Sequence, residues 1–210
     1  MADLTALTAA VEAGNRAEAV SLTQAAIDAG TPPQEILDAM TTAMTEVGRK
    51  FACNEGVYVP EMLISAHAMK EASVLLEPLL AAGGIKPEHT AVIGTVQGDL
   101  HDIGKNLVGM MLKGANFEIV DLGTNVSPEA FAEAAKEHGA SIVGISALLT
   151  TTMVGMKAAV EAIRAADPEA KILVGGAPVT DEVAAEIGAD GFAKDAATAA
   201  NVAQELLAAR

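Results

Sequence analysis

The six residues Asp99-Leu100-His101-Asp102-Ile103-Gly104 hold the pattern with the most chemical reach in this chain: one imidazole between two carboxylates, then a glycine. A neutral imidazole can bind a metal through one ring nitrogen while the other donates to a carboxylate, which orients the ring and strengthens the ligand. Asp99, two residues before His101, is close enough in sequence to be that acceptor. A plainer reading is that Asp99 and Asp102 cap a turn and a helix start and leave His101 merely exposed. A protein-only zinc site needs three or four ligands, and neither another His nor Cys53 completes one near His101 in sequence. A metal at this position has to bring most of its ligands with it, as a macrocyclic cofactor does.

The chain that must position these groups has 210 residues, enough for one or two compact domains, each with its own core. Apolar residues make up 51% and aromatics only 2%, so the core must be built from Ala, Val, Ile, Leu and Met, and flat aromatic recognition surfaces are largely excluded. A formal charge of −15 opposes binding to a phosphate backbone, so no nucleic acid is expected as a partner. The acidity is shared, with 5 basic against 12 acidic residues through Glu88 and 8 against 16 beyond it. Cys53 has no partner for an intrachain disulfide, which fits a reducing compartment. The start, Met1-Ala2-Asp3-Leu4-Thr5, lacks a basic stretch followed by an apolar run, so no signal peptide is expected. The uncharged run from Gly139 to Met156 is broken by Gly144, Ser146 and Thr150 to Thr152, so no membrane span is expected either. The expected location is cytoplasmic.

Residues 1–82 read as a helical domain. Leu4, Leu7 and Val11 mark a first helix, and Ala19, Leu22 and Ala26 a second. Thr31-Pro32-Pro33-Gln34 reads as a capping box opening a third, with an apolar stripe at Ile36, Met40, Met44, Val47 and Phe51. Pro60 opens a fourth, whose stripe Leu63, Ala66, Met69, Ala72, Leu76 and Leu79 predicts nearly six continuous turns, with His67 a partly buried residue inside it. Amphipathic helices joined by short turns bury their stripes against one another, so a four-helix bundle is expected. Two glycines and a proline in Ala81-Ala82-Gly83-Gly84-Ile85-Lys86-Pro87 break the pattern, placing a linker and plausible hinge over 83–88.

From residue 89 to 210 short β-rich runs alternate with helical stretches. The runs are Thr90–Thr95, Phe117–Asp121, Ser141–Ser146, Lys171–Gly175 and a shorter Asp190–Ala193, with helices over 103–115, 128–138, 153–166, 181–187 and 196–208. Nearly continuous apolar runs indicate strands buried on both faces, and five βα units predict a Rossmann-like or flavodoxin-like five-stranded parallel sheet. Ligands of such sheets bind beyond the carboxyl ends of the strands, where Asp99 to Gly104, Gly123-Thr124-Asn125, Ser146 and Gly175-Gly176 fall. Neither a Gly-x-x-x-x-Gly-Lys-Ser/Thr loop nor a Gly-x-Gly-x-x-Gly turn follows the first strand, which argues against ATP and NAD. A receiver-like phosphorelay needs an aspartate after the third strand, where this chain has Ser146.

The Asp99 to Gly104 run resembles the Asp-x-His-x-x-Gly signature of cobalamin-binding domains. Ser146-Ala147-Leu148 resembles their Ser-x-Leu element, and Gly175-Gly176 their Gly-Gly element, in the same order along the chain. In the first half, Glu55-Gly56-Val57-Tyr58-Val59-Pro60-Glu61-Met62-Leu63, Met69-Lys70 and Leu76-Glu77-Pro78-Leu79 resemble the helical cap of corrinoid methyl-carrier proteins of methyltransferase systems and of methionine synthase. The two-domain organisation is similar to corrinoid proteins serving methanol, methylamine or aryl methyl ether methyltransferases.

The resemblance implies a cobalamin cofactor, cycling between methylcobalamin and cob(I)alamin and obtainable as hydroxocobalamin. It implies His101 as the lower axial ligand of cobalt, replacing the cofactor's own benzimidazole, with Asp99 accepting the other imidazole proton and Thr152, six residues beyond Ser146, completing the relay. It implies Asp102 and Ile103 as cofactor-binding residues, Gly104 permitting close approach of the displaced nucleotide tail, Ser146 bonded to that tail or its base, Leu148 and Thr150 lining its slot, and Gly175 and Gly176 leaving it room. Tyr58 is implied as a cap contact over the upper face of the corrin. Expected partners are a substrate-specific methyltransferase, a second corrinoid-dependent methyltransferase acting on a thiol or tetrahydrofolate, and a reductive activase. The carrier is expected to be non-catalytic alone. A cobalamin-dependent sensor and the small subunit of a mutase are the competing functions; the first needs a basic DNA-binding helix or effector segment, the second a separate catalytic barrel.

Overall fold

A computed structural model describes residues 4–82 and 87–208. The chain divides into two compact units, Met1–Pro87 with Gly114–Asn116, and Glu88–Lys113 with Phe117–Arg210. Most of the linker expected over 83–88, including both of its glycines, lies outside the described residues.

The first unit holds α1 (Leu4–Glu12), α2 (Arg16–Asp28), α3 (Pro33–Ala52), α4 (Val59–Ser73) and the short α5 (Glu77–Ala82). α1 packs on α2 and α3, and α2 on α4, burying Leu7 and Val11, Ala19 and Ala26, Ile36, Met40, Met44 and Val47. Three details depart from the sequence reading. The third helix begins at Pro33 with Pro32 as its N-cap and no side-chain cap, so Thr31 and Gln34 form no capping box; Gln34 instead bonds to Asp38, one turn on. The fourth helix stops at Ser73 and restarts as α5, because Pro78 inside a continuous helix would collide with the carbonyl of Val74, whereas in the first turn of a new one it costs nothing. The buried face of α4 is Met62, Ser65, Ala68, Met69 and Ala72, offset from the stripe read through Leu63 and Ala66, and His67 is exposed. A serine can occupy that face because its hydroxyl donates to the Glu12 carbonyl at 2.8 Å.

The second unit is a parallel five-stranded sheet of β1 (His89–Thr95), β2 (Phe117–Asp121), β3 (Ile142–Ser146), β4 (Lys171–Gly175) and β5 (Gly191–Ala193), in the order β2-β1-β3-β4-β5. The intervening helices are α6 (Ile103–Gly114), α7 (Pro128–His138), α8 (Val154–Ala166) and α9 (Asp181–Ile187), with α10 (Ala196–Ala208) last. Successive strand residues face opposite sides. Val92 joins a core with Phe131, Ile145, Met156, Val160 and Ile163 on the α7 and α8 side, whereas Ile93 meets α6 so closely that a Cβ on Gly109 would lie 2.8 Å from its Cδ1. This is the flavodoxin-like order, which reverses direction between β1 and β3. The register pairs Thr95 with Ser146 and Ser146 with Gly175, so the carboxyl ends of β1, β3 and β4 finish in line. Their outgoing loops therefore share one edge.

Candidate functional site

The loop from β1 to α6 carries Asp99 to Asp102 past this edge. Asp99 is fully buried, and its two oxygens serve different loops. Oδ1 accepts from Nδ1 of His101 at 2.8 Å and from the His101 backbone N–H at 3.1 Å. Oδ2 accepts from the backbone N–H groups of Leu148 and Leu149 at 2.8 and 3.3 Å, and from the Thr152 hydroxyl at 2.8 Å. Burial by itself would raise the pKa of this carboxyl. The donors from Leu148, His101 and Thr152 outweigh it and hold the group well below the usual carboxylate range. An ionised carboxylate only accepts, so Nδ1 of the imidazole carries a hydrogen and Nε2 is the nitrogen whose lone pair a metal could take. The His101 side chain is 53% exposed, so that lone pair belongs to a ring with open surroundings.

Asp99, His101 and Thr152 are thus brought together. Leu148 joins them through its main chain, and its side chain is exposed, as are Leu100, Ile103, Leu149 and Val154. Thr150 is exposed on the turn before α8, and Asp102 is exposed at the start of α6, accepting from Asn106 Nδ2 at 3.1 Å. Ser146 ends β3 half-buried, its carbonyl accepting from Val96 N–H at 3.0 Å. A Cβ added at Gly104 would meet nothing within 4 Å. The other two glycines answer to the protein's own backbone: a Cβ on Gly175 would lie 2.9 Å from the Ala193 carbonyl oxygen, and one on Gly176, at φ +128°, 1.8 Å from that of Ala147. Tyr58 belongs to the helical unit, where it is exposed as the N-cap of α4 and its N–H donates to Glu61 at 3.1 Å.

Several participants carried no signal in the sequence. The Leu148 and Leu149 amides act through the main chain, which residue type does not encode. Thr95, fully buried, donates its hydroxyl to the His101 carbonyl at 2.9 Å. Lys105 is only 4% exposed, with its ammonium on both oxygens of Asp121 at 2.6 Å and on Asn106 Oδ1 at 2.7 Å. A lysine inside an otherwise apolar helix start was the one available hint. Asn125, by contrast, belongs to the Gly123-Thr124-Asn125 stretch that the sequence places beyond the carboxyl end of β2, and it holds a left-handed φ of 57° there.

The donor set can be tested against a corrin-held cobalt. Among the described residues no group of three or more His, Cys, Asp or Glu could hold a metal ion. A half-exposed imidazole whose second nitrogen is committed to a buried carboxylate fits a metal that arrives with its equatorial ligands in place. Open space at Gly104 and the exposed apolar side chains beside the ring suit a large, partly apolar cofactor. The residues fit the group.

Comparison with known proteins agrees with this chemistry. Residues 89–202 match the B12 binding domain family, and residues 4–77 a second family of the same description. The monomethylamine corrinoid protein 2 of Methanosarcina acetivorans is 40% identical over 208 residues, 96% of this chain and 95% of that protein. Among solved structures, a cobalamin-binding protein from Desulfitobacterium hafniense is 29% identical with a TM-score of 0.83, covering 98% of this chain and 99% of that one. The methanol:cobalamin methyltransferase complex from Methanosarcina barkeri includes a chain 28% identical with a TM-score of 0.86, covering 99% of this chain and 80% of its own. Matched by domain family over both halves and by such a relative over nearly its whole length, the chain belongs to the B12-binding corrinoid proteins.

Proposed function

We propose that this protein is a corrinoid methyl carrier, holding a methyl group on the cobalt of cobalamin between two methyltransferases. The observation that carries the reading is the His101 imidazole held by buried Asp99, with Nε2 the nitrogen left for a metal. The cofactor, when bound, supplies the nucleophilic metal centre that accepts and surrenders the methyl group. The chain's own residues bind and orient it. His101, through Nε2, would hold the cobalt. Asp99 keeps the hydrogen on Nδ1 and so fixes the tautomer and tilt of the ring, and Thr152, donating to the other oxygen of Asp99, holds that carboxylate in place. The exposed side chains of Leu100, Ile103, Leu148 and Leu149 would give the corrin an apolar seat. Gly104, with open space around it, and Ser146, at the end of β3, would hold the cofactor's nucleotide tail.

The partner reading rests on the relatives: one solved relative is part of a methanol:cobalamin methyltransferase complex, and several curated ones are named as methylamine corrinoid proteins. A substrate-specific methyltransferase that charges the carrier from a small methyl donor follows, with a second enzyme discharging it to a thiol or tetrahydrofolate and a reductive activase restoring cobalt after oxidation. A cytoplasmic location suits such reducing chemistry. Among the described residues no helix is long and apolar enough to cross a membrane. Reconstitution with hydroxocobalamin tests the core of the proposal: the absorption spectrum should report benzimidazole displaced by a protein imidazole, and His101→Ala should lose that signature. Binding with the cofactor's own base still on cobalt in the wild type would overturn it.

A further inference from the structure

The Asp99 carboxylate holds the imidazole loop on the β3 side, and a separate set of contacts holds the same loop on the β2 side. Asn125 takes hold of two consecutive residues there: its Oδ1 accepts from the Gly98 N–H at 2.8 Å, and its own N–H donates to the Asp99 carbonyl at 3.0 Å. We propose that Asn125 is a positioning residue for the axial ligand, its side-chain amide fixing the main chain at Gly98 and so the fraction of molecules in which His101 sits on the metal. The inference deepens the reading of His101 as axial ligand and rests on it.

Gly98 has a φ of +83°, a conformation open to glycine, and glycine is the residue with the widest alternatives once a restraint is removed. Its N–H donates to the Asn125 side chain. Asn125 in turn sits at φ 57°, where asparagine is tolerated and most side chains are strained. Its loop is anchored independently of the imidazole. Thr95 donates its N–H to the Gly123 carbonyl and accepts at its own carbonyl from Val126 N–H, at 3.0 and 2.9 Å. The Gly123 N–H donates to Asp121 Oδ1 at 2.9 Å, and the buried Lys105 ammonium grips both oxygens of Asp121. The circuit of contacts from Lys105 through Asp121, Gly123 and Asn125 to Gly98 and Asp99 closes on the segment it left, with His101 inside it. An ammonium with all three hydrogens bonded in a buried position is a firm anchor. Movement of the imidazole loop is thereby resisted from the β2 side as well as by Asp99.

The test uses the full chain labelled with [15N]histidine, loaded with hydroxocobalamin and reduced to the cobalt(II) state, in which electron paramagnetic resonance reads the nitrogen on the axial position. Asn125→Gly keeps the positive φ and the backbone bond to Asp99 while deleting the acceptor, and Asn125→Asp keeps an acceptor. Losing one hydrogen bond should raise the ratio of histidine-free to histidine-bound cobalt about fivefold in Asn125→Gly, with Asn125→Asp staying within about twofold of wild type. Hydrogen exchange at the Gly98 amide of the unloaded protein gives a second reading, faster in Asn125→Gly alone. An unchanged ratio in Asn125→Gly, or equal losses in both variants, overturns the positioning role while leaving His101 as ligand intact. Absence of a labelled-histidine signal in the wild type overturns both.

Discussion

Asp99 stays ionised although no water reaches it, because amides, a hydroxyl and an imidazole are aimed at both of its oxygens. That arrangement carries a pH dependence with a definite sign. The folded-state pKa is depressed below the ordinary value of 3.8, so the carboxylate stabilises the fold above that value and loses its contribution as pH falls through the folded-state pKa. Urea unfolding of the unloaded protein followed down from about pH 6 should show a stability loss on acidification that is shallower in Asp99→Asn. At neutral pH the same substitution should cost about 1–3 kcal/mol, since an amide turns a donor toward at least one of the donors it must face. Thr152 offers a finer probe. Thr152→Ser keeps the hydroxyl and should lie near wild type, whereas Thr152→Val should lose roughly 1 kcal/mol in the same measurement. That Asp99 could reach His101 was legible from their spacing of two. Its equal commitment to Leu148 and Leu149 was not, because main-chain donors from a loop some fifty residues away leave no mark in composition.

At the level of elements, the sheet unit was far more legible than the helical one. Strands buried on both faces write themselves as apolar runs, and the second and fourth, Phe117–Asp121 and Lys171–Gly175, have the bounds read from sequence. Ser127 and Pro128 likewise mark the start of α7, with the serine hydroxyl accepting from Ala130 N–H. In the helical unit abundant alanine blurs which face is apolar, so the buried stripe of α4 could not be told from its neighbour, and Pro78 decided where the helix broke. The loop glycines separate two kinds of requirement. Gly176→Ala should destabilise the unloaded protein by about 3 kcal/mol or more, because the new methyl meets the Ala147 carbonyl and the backbone is at positive φ. Gly104→Ala, in open space within α6, should leave folding unharmed or gain up to about 1 kcal/mol of helix stability. Hydroxocobalamin titration of the same protein should nonetheless show weaker binding if the nucleotide tail passes there. Undiminished affinity in Gly104→Ala would remove that residue from the proposed tail path.

For the whole molecule, the proposed cofactor contacts on the sheet unit tie ligand binding to its stability. A ligand that binds only the folded form adds about 2.7 kcal/mol at a hundred times its Kd, and hydrogen exchange should show that gain in the amides of β1, β3 and β4 when hydroxocobalamin is added. Equal protection with and without cofactor would place the binding site elsewhere. The net charge of −15 over both halves also favours a partner enzyme with a basic docking face, so association should weaken as salt is raised. One geometric fact shapes how such a carrier can respond. The two oxygens of a carboxyl group are a rigid span, and here one end is gripped by the segment after β1 and the other by the segment after β3. Asp99 therefore works as a calliper across the fork in the sheet: any pull on the imidazole that shifts its near jaw must drag the far jaw, and the turn leading into α8 registers what happens to the ring.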